Sequence, residues 1–334
     1  MMNNIQKKSM KIGLVFSGGG AKGAYQIGVW KALEEFGVSQ NISVISGTSV
    51  GALNAALFAQ GDYNHAEMTW RNINEEDILH FDIEKHLPNF ASLFGLSSTV
   101  LFWFLSTGIF SRKGLSCIIN NRLDFSKIRE SRKHIYANCS ERNLPLKLKP
   151  KYFSLHNVSN ERFHQILLAS SAIPVIFDNE TIDDKSYTDG YFTDNTPIKP
   201  VYEEECNIII NVFLNRDSYI PHENYPKSVL IDIYPQDDLG GILNGVLNFR
   251  NISKNIDRGY EDALKILKPI YDMALEQFKF GKLLEYSKAQ NLAFRKYMKT
   301  TLELDEQIDN VKKKISNSRL LFKGDNNDGI KTLR

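Results

Sequence analysis

Three groups of residues in this chain have types and spacings that could do chemistry together. The first is Gly47-Thr48-Ser49-Val50-Gly51, which lies between an apolar, β-like run (Ile42, Val44, Ile45) and a small-residue helical run from Ala52 to Ala59. A strand that reverses sharply into a helix exposes the turn residue at the sheet's carboxyl edge, and flanking glycines let so tight a turn pack closely. Ser49 is then a presented hydroxyl, a candidate nucleophile for acyl transfer. A plain glycine-rich turn would not need serine at its apex.

The second group lies upstream, where Lys11 to Phe16 reads as a buried strand running into Ser17-Gly18-Gly19-Gly20-Ala21-Lys22-Gly23. Ile27, Trp30, Leu33 and Phe36 then recur at three-residue spacing before Gly37, so the glycines sit at a helix N-terminus. Free backbone N–H groups there suit an anion. A P-loop phosphate would need Gly-Lys-Ser/Thr, and Lys22 is followed by Gly23. Gly18-x-Gly20-x-x-Gly23 formally fits the dinucleotide fingerprint, but the second strand ends in Ile45-Ser46-Gly47-Thr48-Ser49 with no ribose-binding acid. The oxyanion of a tetrahedral acyl-transfer intermediate, generated at Ser49 on the neighbouring strand, is the reading we favour.

A serine nucleophile needs a base. His65, His80, His86, His134, His156, His164 and His222 are scattered, and none sits in an evident strand-end motif. The third group, Asp189-Gly190 within Tyr187-Thr188-Asp189-Gly190-Tyr191-Phe192-Thr193-Asp194-Asn195-Thr196-Pro197, offers a carboxylate instead, although a bare Asp-Gly is equally a turn. Asp183, Asp184 and Asp194 cluster nearby at spacings that fit no calcium loop, so no metal and no cofactor is expected.

Taken in order, these segments resemble the patatin-like phospholipases, in their bacterial form. Gly18-Gly19-Gly20-Ala21-Lys22-Gly23 is similar to that family's oxyanion loop, Gly47-Thr48-Ser49-Val50-Gly51 to its nucleophile elbow, and Asp189-Gly190 to its aspartate motif. Ala169-Ser170-Ser171-Ala172-Ile173-Pro174 resembles the block preceding the aspartate, and Asn195 and Pro197 match the tail that follows it. Tyr191 departs from the pattern, standing where Gly or Ala is usual, and is expected to narrow the pocket beside the base. The resemblance covers about residues 9–235.

What the resemblance implies is a lipid acyl hydrolase of phospholipase A or lysophospholipase type, working through a Ser49–Asp189 dyad and an acyl-enzyme. Backbone N–H groups of the Gly18, Gly19, Gly20, Ala21 loop, with that of Val50, would bind the oxyanion, while Gly47, Gly51, Lys22 and Gly23 support elbow and loop. The partner implied is a phospholipid or other acyl ester, with peripheral membrane contact open. No nucleic-acid partner is expected, and oligomeric state is left open. An acyltransferase or thioesterase would use the same dyad. A silent lipid-binding module, or an effector awaiting an activator, would keep the motifs without turnover.

The expected fold is α/β: a mostly parallel central sheet flanked by helices, related to the α/β-hydrolases, with a helical C-terminal extension. Alternating strands and helices demand it, the later strands reading as Ile135 to Cys139, Tyr152 to Leu155, Ile208 to Leu214 and Val229 to Tyr234. At 334 residues, 42% hydrophobic and a net charge of +2, the chain can bury a substantial core. Cys117, Cys139 and Cys206 are odd in number and read as reduced, mostly buried thiols. The absence of an evident signal peptide favours the cytoplasm, with signal-independent secretion invisible to such reasoning.

Three further segments follow from the same reading. Residues 62–132 form a helical, apolar insertion or lid, within which 90–110 carries no charge. That stretch reads as core packing, as an acyl-chain wall or as a membrane span, the last weakened by its Ser, Thr and Gly residues. Residues 240–320 read as the helical extension, where Leu304, Ile308, Val311 and Ile315 form an amphipathic stripe. From Lys282 onward 12 basic residues face 7 acidic ones, which suits either an anionic membrane or a solvated helix face. Residues 321–334 are expected to be a disordered tail.

Overall fold

The computed structural model describes residues 10–78, 80–81, 110–143, 147–174, 176–240, 249–275 and 280–324. Its centre is an eight-stranded, mostly parallel sheet flanked by helices, in the order β10-β9-β1-β2-β5-β8-β7, with β6 also paired to β5. The parallel strands are β1 (Ile12–Phe16), β2 (Ile42–Thr48), β5 (His134–Asn143), β9 (Ile208–Val212) and β10 (Val229–Ile233). Strands β1 and β9 are buried along their whole length, as near-continuous apolar runs in a covered parallel sheet must be. Strand β5 then runs on past the others. From Tyr136 onward it pairs antiparallel with β6 (Lys147–Ser154) on one edge, at Cys139–Glu141 it pairs antiparallel with β8 (Lys185–Asp189) on the other, and β7 (Glu180–Ile182) closes that side. A separate two-stranded pair joins β3 (His80–Phe81) to β4 (Phe110–Ser111).

Register places the chemistry. Phe16 lies opposite Gly47, and Thr48 opposite Asn138, so the glycine loop after β1 and the turn after β2 leave the sheet at one edge. Asp189, the last residue of β8, lies opposite Cys139, one residue further along β5 than the partner of Thr48. Thus β2 departs and β8 arrives on the same edge of β5, end to end.

Helices α1 (Ala24–Glu35) and α2 (Val50–Gln60) follow those two turns. In the 62–132 segment the structure has α3 (Tyr63–Arg71), α4 (Glu75–Ile78), α5 (Lys113–Arg122) and α6 (Phe125–Glu130). Nearly all of the uncharged 90–110 stretch lies outside the described residues, among which no helix is long and apolar enough to cross a membrane. Helices α7 (Asn160–Ser170) and α8 (Ile198–Glu203) complete the flanks, and Val15, Val44, Ile198, Val201 and Ile209 interlock beneath α8.

Helix α9 (Ile252–Leu275) belongs to the same unit as the sheet. Its crossing with α1 is a glycine contact: a Cβ on Gly28 would stand 1.8 Å from the Ile256 carbonyl oxygen, and one on Gly259 would stand 1.9 Å from that of Tyr25. Periodicity could not announce this, because the residues that permit it have no side chain. The chain divides between Leu283 and Leu284. Beyond lies most of α10 (Phe280–Gly324), on which Leu304, Ile308 and Val311 are exposed. The helix takes in the first four residues of the expected tail; residues 325–334 lie outside the described residues. Cys139 and Cys206 are buried, whereas Cys117 is exposed.

Candidate active site

Ser49 caps the N-terminus of α2 with φ 55° and ψ −126°, a conformation that a non-glycine residue adopts only under constraint. The constraint is visible on both sides. A Cβ on Gly47 would lie 2.2 Å from the Gly51 carbonyl oxygen, and one on Gly51 would lie 2.3 Å from that of Phe16, so neither position admits a side chain. Polar ties hold the turn. The Ser49 N–H donates to Ser170 Oγ (2.9 Å), which donates in turn to the Asn138 carbonyl (2.7 Å). Thr48 Oγ1 donates to the Asp194 carbonyl (2.8 Å) and Ser46 Oγ to that of Pro197 (2.6 Å).

The glycine loop is fixed by a buried network. Asn54 Nδ2 donates to the Gly23 carbonyl (3.0 Å) and to Gln26 Oε1 (2.8 Å), Gln26 Nε2 donates to the Ser17 carbonyl (2.7 Å), and Trp70 Nε1 donates to Asn54 Oδ1 (2.8 Å). Sequence reasoning missed Gln26 and Asn54, and gave Ser170, within the Ala169–Pro174 block, no bond to the elbow. The available signal for the first two was a single amide inside each otherwise apolar helical run, which a folded core tolerates only when its hydrogen bonds are met.

The Gly18 N–H is spent on Asn195, at 3.0 Å from Oδ1 and 3.2 Å from the backbone oxygen, and Asn195 Nδ2 returns a bond to the Gly18 carbonyl. In this structure the Gly18 N–H is thus engaged within the loop. Among the described residues, the N–H groups of Gly19, Gly20 and Ala21 meet no backbone acceptor. Val50, the first residue of α2, has an N–H with no intrahelical partner. Gly20, Ser49 and Val50 line one cleft together. Lys22 is buried in the loop; desolvation lowers its pKa, and the charge of Asp238 partly opposes that shift.

Asp189 is 1% exposed. Its N–H donates to the Ala172 carbonyl (2.9 Å), its carbonyl accepts from Ser140 Oγ (2.7 Å), and Oδ1 accepts the Tyr191 N–H (2.8 Å). Burial pushes the carboxyl pKa up to about 7, against the opposing pull of the Ser49 hydroxyl and the Tyr191 N–H. Oδ2 is buried with no hydrogen-bond partner among the described residues, while the Ser49 side chain lies near enough to this carboxyl to act on its pKa. The structure thus brings Ser49 and Asp189 together.

The other sequence candidates are engaged elsewhere. His65 contacts the Arg122 carbonyl, His134 contacts Glu204, His164 contacts Ser116 and His222 contacts Asp232. His156 stacks on His134, and His86 lies outside the described residues. Asp183 and Asp184, both at positive φ, form the turn between β7 and β8, while Asp194 accepts from the Tyr152 hydroxyl (2.7 Å). Tyr191 does not narrow the pocket: its side chain is 47% exposed, lies edge-on to Phe192 and is absent from the cleft wall.

The cleft running from Ser49 is apolar. Leu53 and Leu57 come from α2, Trp70 from α3, Leu115, Ile118 and Ile119 from α5, and Ile173 and Phe177 from the segment after α7. A hydroxyl in a strained turn, a buried carboxyl poised near neutrality, unengaged N–H groups and a hydrocarbon-lined cleft together can cleave an ester of a long apolar acid.

Several known proteins are similar to parts of this chain. Lysophospholipase nte1 of Aspergillus terreus is 57% identical over 49 residues, which cover 15% of this chain and 3% of that protein. Patatin-like phospholipase domain-containing protein 7 of Mus musculus is 51% identical over 49 residues, 15% of this chain and 4% of that protein. The match therefore spans only a small part of these relatives. Among solved structures, VipD from Legionella pneumophila is similar over 78% of this chain and 67% of its own (TM-score 0.49, 16% identity). Human GIVD cytosolic phospholipase A2 is similar over 80% and 63% (TM-score 0.46, 9% identity). The family model for patatin-like phospholipase matches residues 14–202, more than half of the chain and inclusive of both Ser49 and Asp189; this chain belongs to the patatin-like phospholipase family.

Proposed function

We propose that this protein is a serine lipid acyl hydrolase, of phospholipase A or lysophospholipase type, that works through a Ser49–Asp189 dyad. Ser49 Oγ attacks the ester carbonyl as Asp189 accepts its proton. The N–H groups of Gly19, Gly20, Ala21 and Val50 stabilise the oxyanion, an effect worth about 2.7–4 kcal/mol for a single donor elsewhere. Asp189 returns the proton to the departing alcohol, leaving the acyl group on Ser49. Water then attacks the acyl-enzyme, Asp189 takes the water's proton and returns it to Ser49, and the fatty acid leaves along the apolar cleft. The observation that carries this reading is the buried Asp189 carboxyl, raised to about 7, beside a strained serine at the end of a hydrocarbon-lined cleft. A carboxyl at its ordinary pKa is a weak base, and burial strengthens it. We place its work at the membrane periphery, where its substrates are.

The test is fluorophosphonate labelling of the purified chain with Ser49→Ala as control, followed by fatty-acid release from phospholipid vesicles. Label on Ser49 with free fatty acid is expected. Asp189→Asn should fail as badly as Ser49→Ala, with the double variant little worse, because the pair acts as one unit. Independent, additive losses would overturn the dyad, and acyl transfer to an added alcohol or thiol with no free acid would identify a transferase.

A further inference from the structure

Most of α10 belongs to the second unit of the chain, and its 45 residues, at about 1.5 Å each, make a rod of roughly 70 Å. Leu304, Ile308 and Val311 are 52%, 49% and 54% exposed along it. Their spacing of four and three is the alternation of a and d positions in a heptad. The sequence carries that register in both directions: Phe294, Thr301, Ile308, Ile315 and Phe322 fall at a, and Tyr297, Leu304, Val311 and Ser318 at d. The seam is narrow, since the e and g positions beside its centre hold Asp305, Gln307, Lys312 and Lys314. A helix lying on a membrane presents a broad apolar face bordered by basic residues. A two-position seam edged by Asp305 suits another helix instead.

Charge and register together select that helix. In a parallel pair of α10 helices, each g position meets the e position five residues further along the second copy. Thr300 would then meet Asp305, Gln307 would meet Lys312, and Lys314 would meet Arg319, which gives no attraction and one repulsion. In an antiparallel pair a meets d, e meets e and g meets g. Centred between Asp309 and Asn310, that arrangement sets position 308 against 311, 304 against 315, 301 against 318 and 297 against 322. The layers are then Ile with Val, Leu with Ile, Thr with Ser and Tyr with Phe, like with like throughout. A shift of one heptad either way would set Thr301 against Val311 or Ile308 against Ser318. The same centring sets Asp305 against Lys312, twice by two-fold symmetry, and brings no like charges together at the flanks. Among the described residues Asp305 forms no ion pair, and Lys312 makes one exposed contact, with Asp309 at 3.5 Å. We propose that α10 pairs antiparallel with the same helix of a second copy of this chain, through the seam centred between Asp309 and Asn310. The pairing stands whether or not Ser49 turns over an ester.

The experiment is sedimentation equilibrium of the full chain at micromolar concentrations, where a dimer is expected. Ile308→Lys places a charge in the central layer and should weaken association roughly a hundredfold or more. Because that position is exposed, the thermal unfolding transition should be unchanged at concentrations where both proteins are monomeric. Asp305→Lys turns two attractions into two repulsions and should weaken the dimer about tenfold. Adding Lys312→Asp to it should restore native association, whereas a parallel pair would be indifferent to both changes. A dimer untouched by Ile308→Lys, or a double variant as weak as Asp305→Lys alone, would overturn the proposal. So would a monomeric native chain, and flotation of that monomer with phosphatidylserine vesicles, lost in Ile308→Lys, would assign the seam to a membrane.

Discussion

In the dyad we propose, Asp189 meets two demands that conflict in a folded protein: burial beside Ser49, and a charge with which to accept a proton. Burial lifts its pKa to about 7, so the ionised fraction grows through neutrality. The rate kcat/KM is therefore expected to rise about tenfold per pH unit on the acid side and level off above about 7, as a pH profile on a soluble ester would show. The same shift acts on stability in the opposite direction. The folded state holds this proton more tightly than the unfolded chain, so ionising Asp189 costs nothing below the ordinary carboxyl pKa of 3.8 and progressively more up to about 7. Asp189→Asn is thus expected to be inactive yet more stable than the native protein at pH 8, on the order of a few kcal/mol, with the gap closing toward pH 4 in denaturant titrations.

At the scale of elements, the nucleophile turn depends on absent side chains and on one borrowed hydroxyl. Gly51→Ala would drive a methyl to 2.3 Å from the Phe16 carbonyl oxygen, a backbone atom of the central strand that cannot step aside. A loss of several kcal/mol is expected by thermal or denaturant unfolding, well beyond the roughly 0.5–1 kcal/mol by which alanine ordinarily gains over glycine in a helix. Ser170→Ala removes the acceptor of the Ser49 N–H and the donor to Asn138 without changing the cleft wall. About 1–3 kcal/mol of stability is expected to go with the unsatisfied N–H, and kcat should fall while KM holds.

Across the whole molecule, what could be read beforehand was what is local. The strand-turn-helix after Ile42 and the glycine loop after Phe16 are contiguous in sequence, so a few residues announce each of them. Motif order placed Ser170 and Asn195 near the site, but their bonds, and the part Asn138 plays, join segments up to 177 residues apart, which no spacing rule specifies. The crossing of α1 and α9 escaped for a related reason: Gly28 and Gly259 act by the close approach they permit, which leaves no periodic trace. The Asn195 partner of the Gly18 N–H could likewise be assigned only once the two segments were in place.

That separation along the chain has a kinetic side. The elbow is tied to the aspartate segment between Thr48 and Asp194, 146 residues apart, and the glycine loop to β9 between Ser17 and Val212, 195 residues apart. Contacts of such high order close large loops and form late. During refolding from denaturant, far-ultraviolet ellipticity is expected to recover ahead of esterase activity. An equal rate for both would mean that the loops close in the first collapse. Until those ties form, a chain with its helices already wound has the proposed nucleophile, base and donors in unconnected places, so on that reading catalysis would serve as a clock for the last stage of folding.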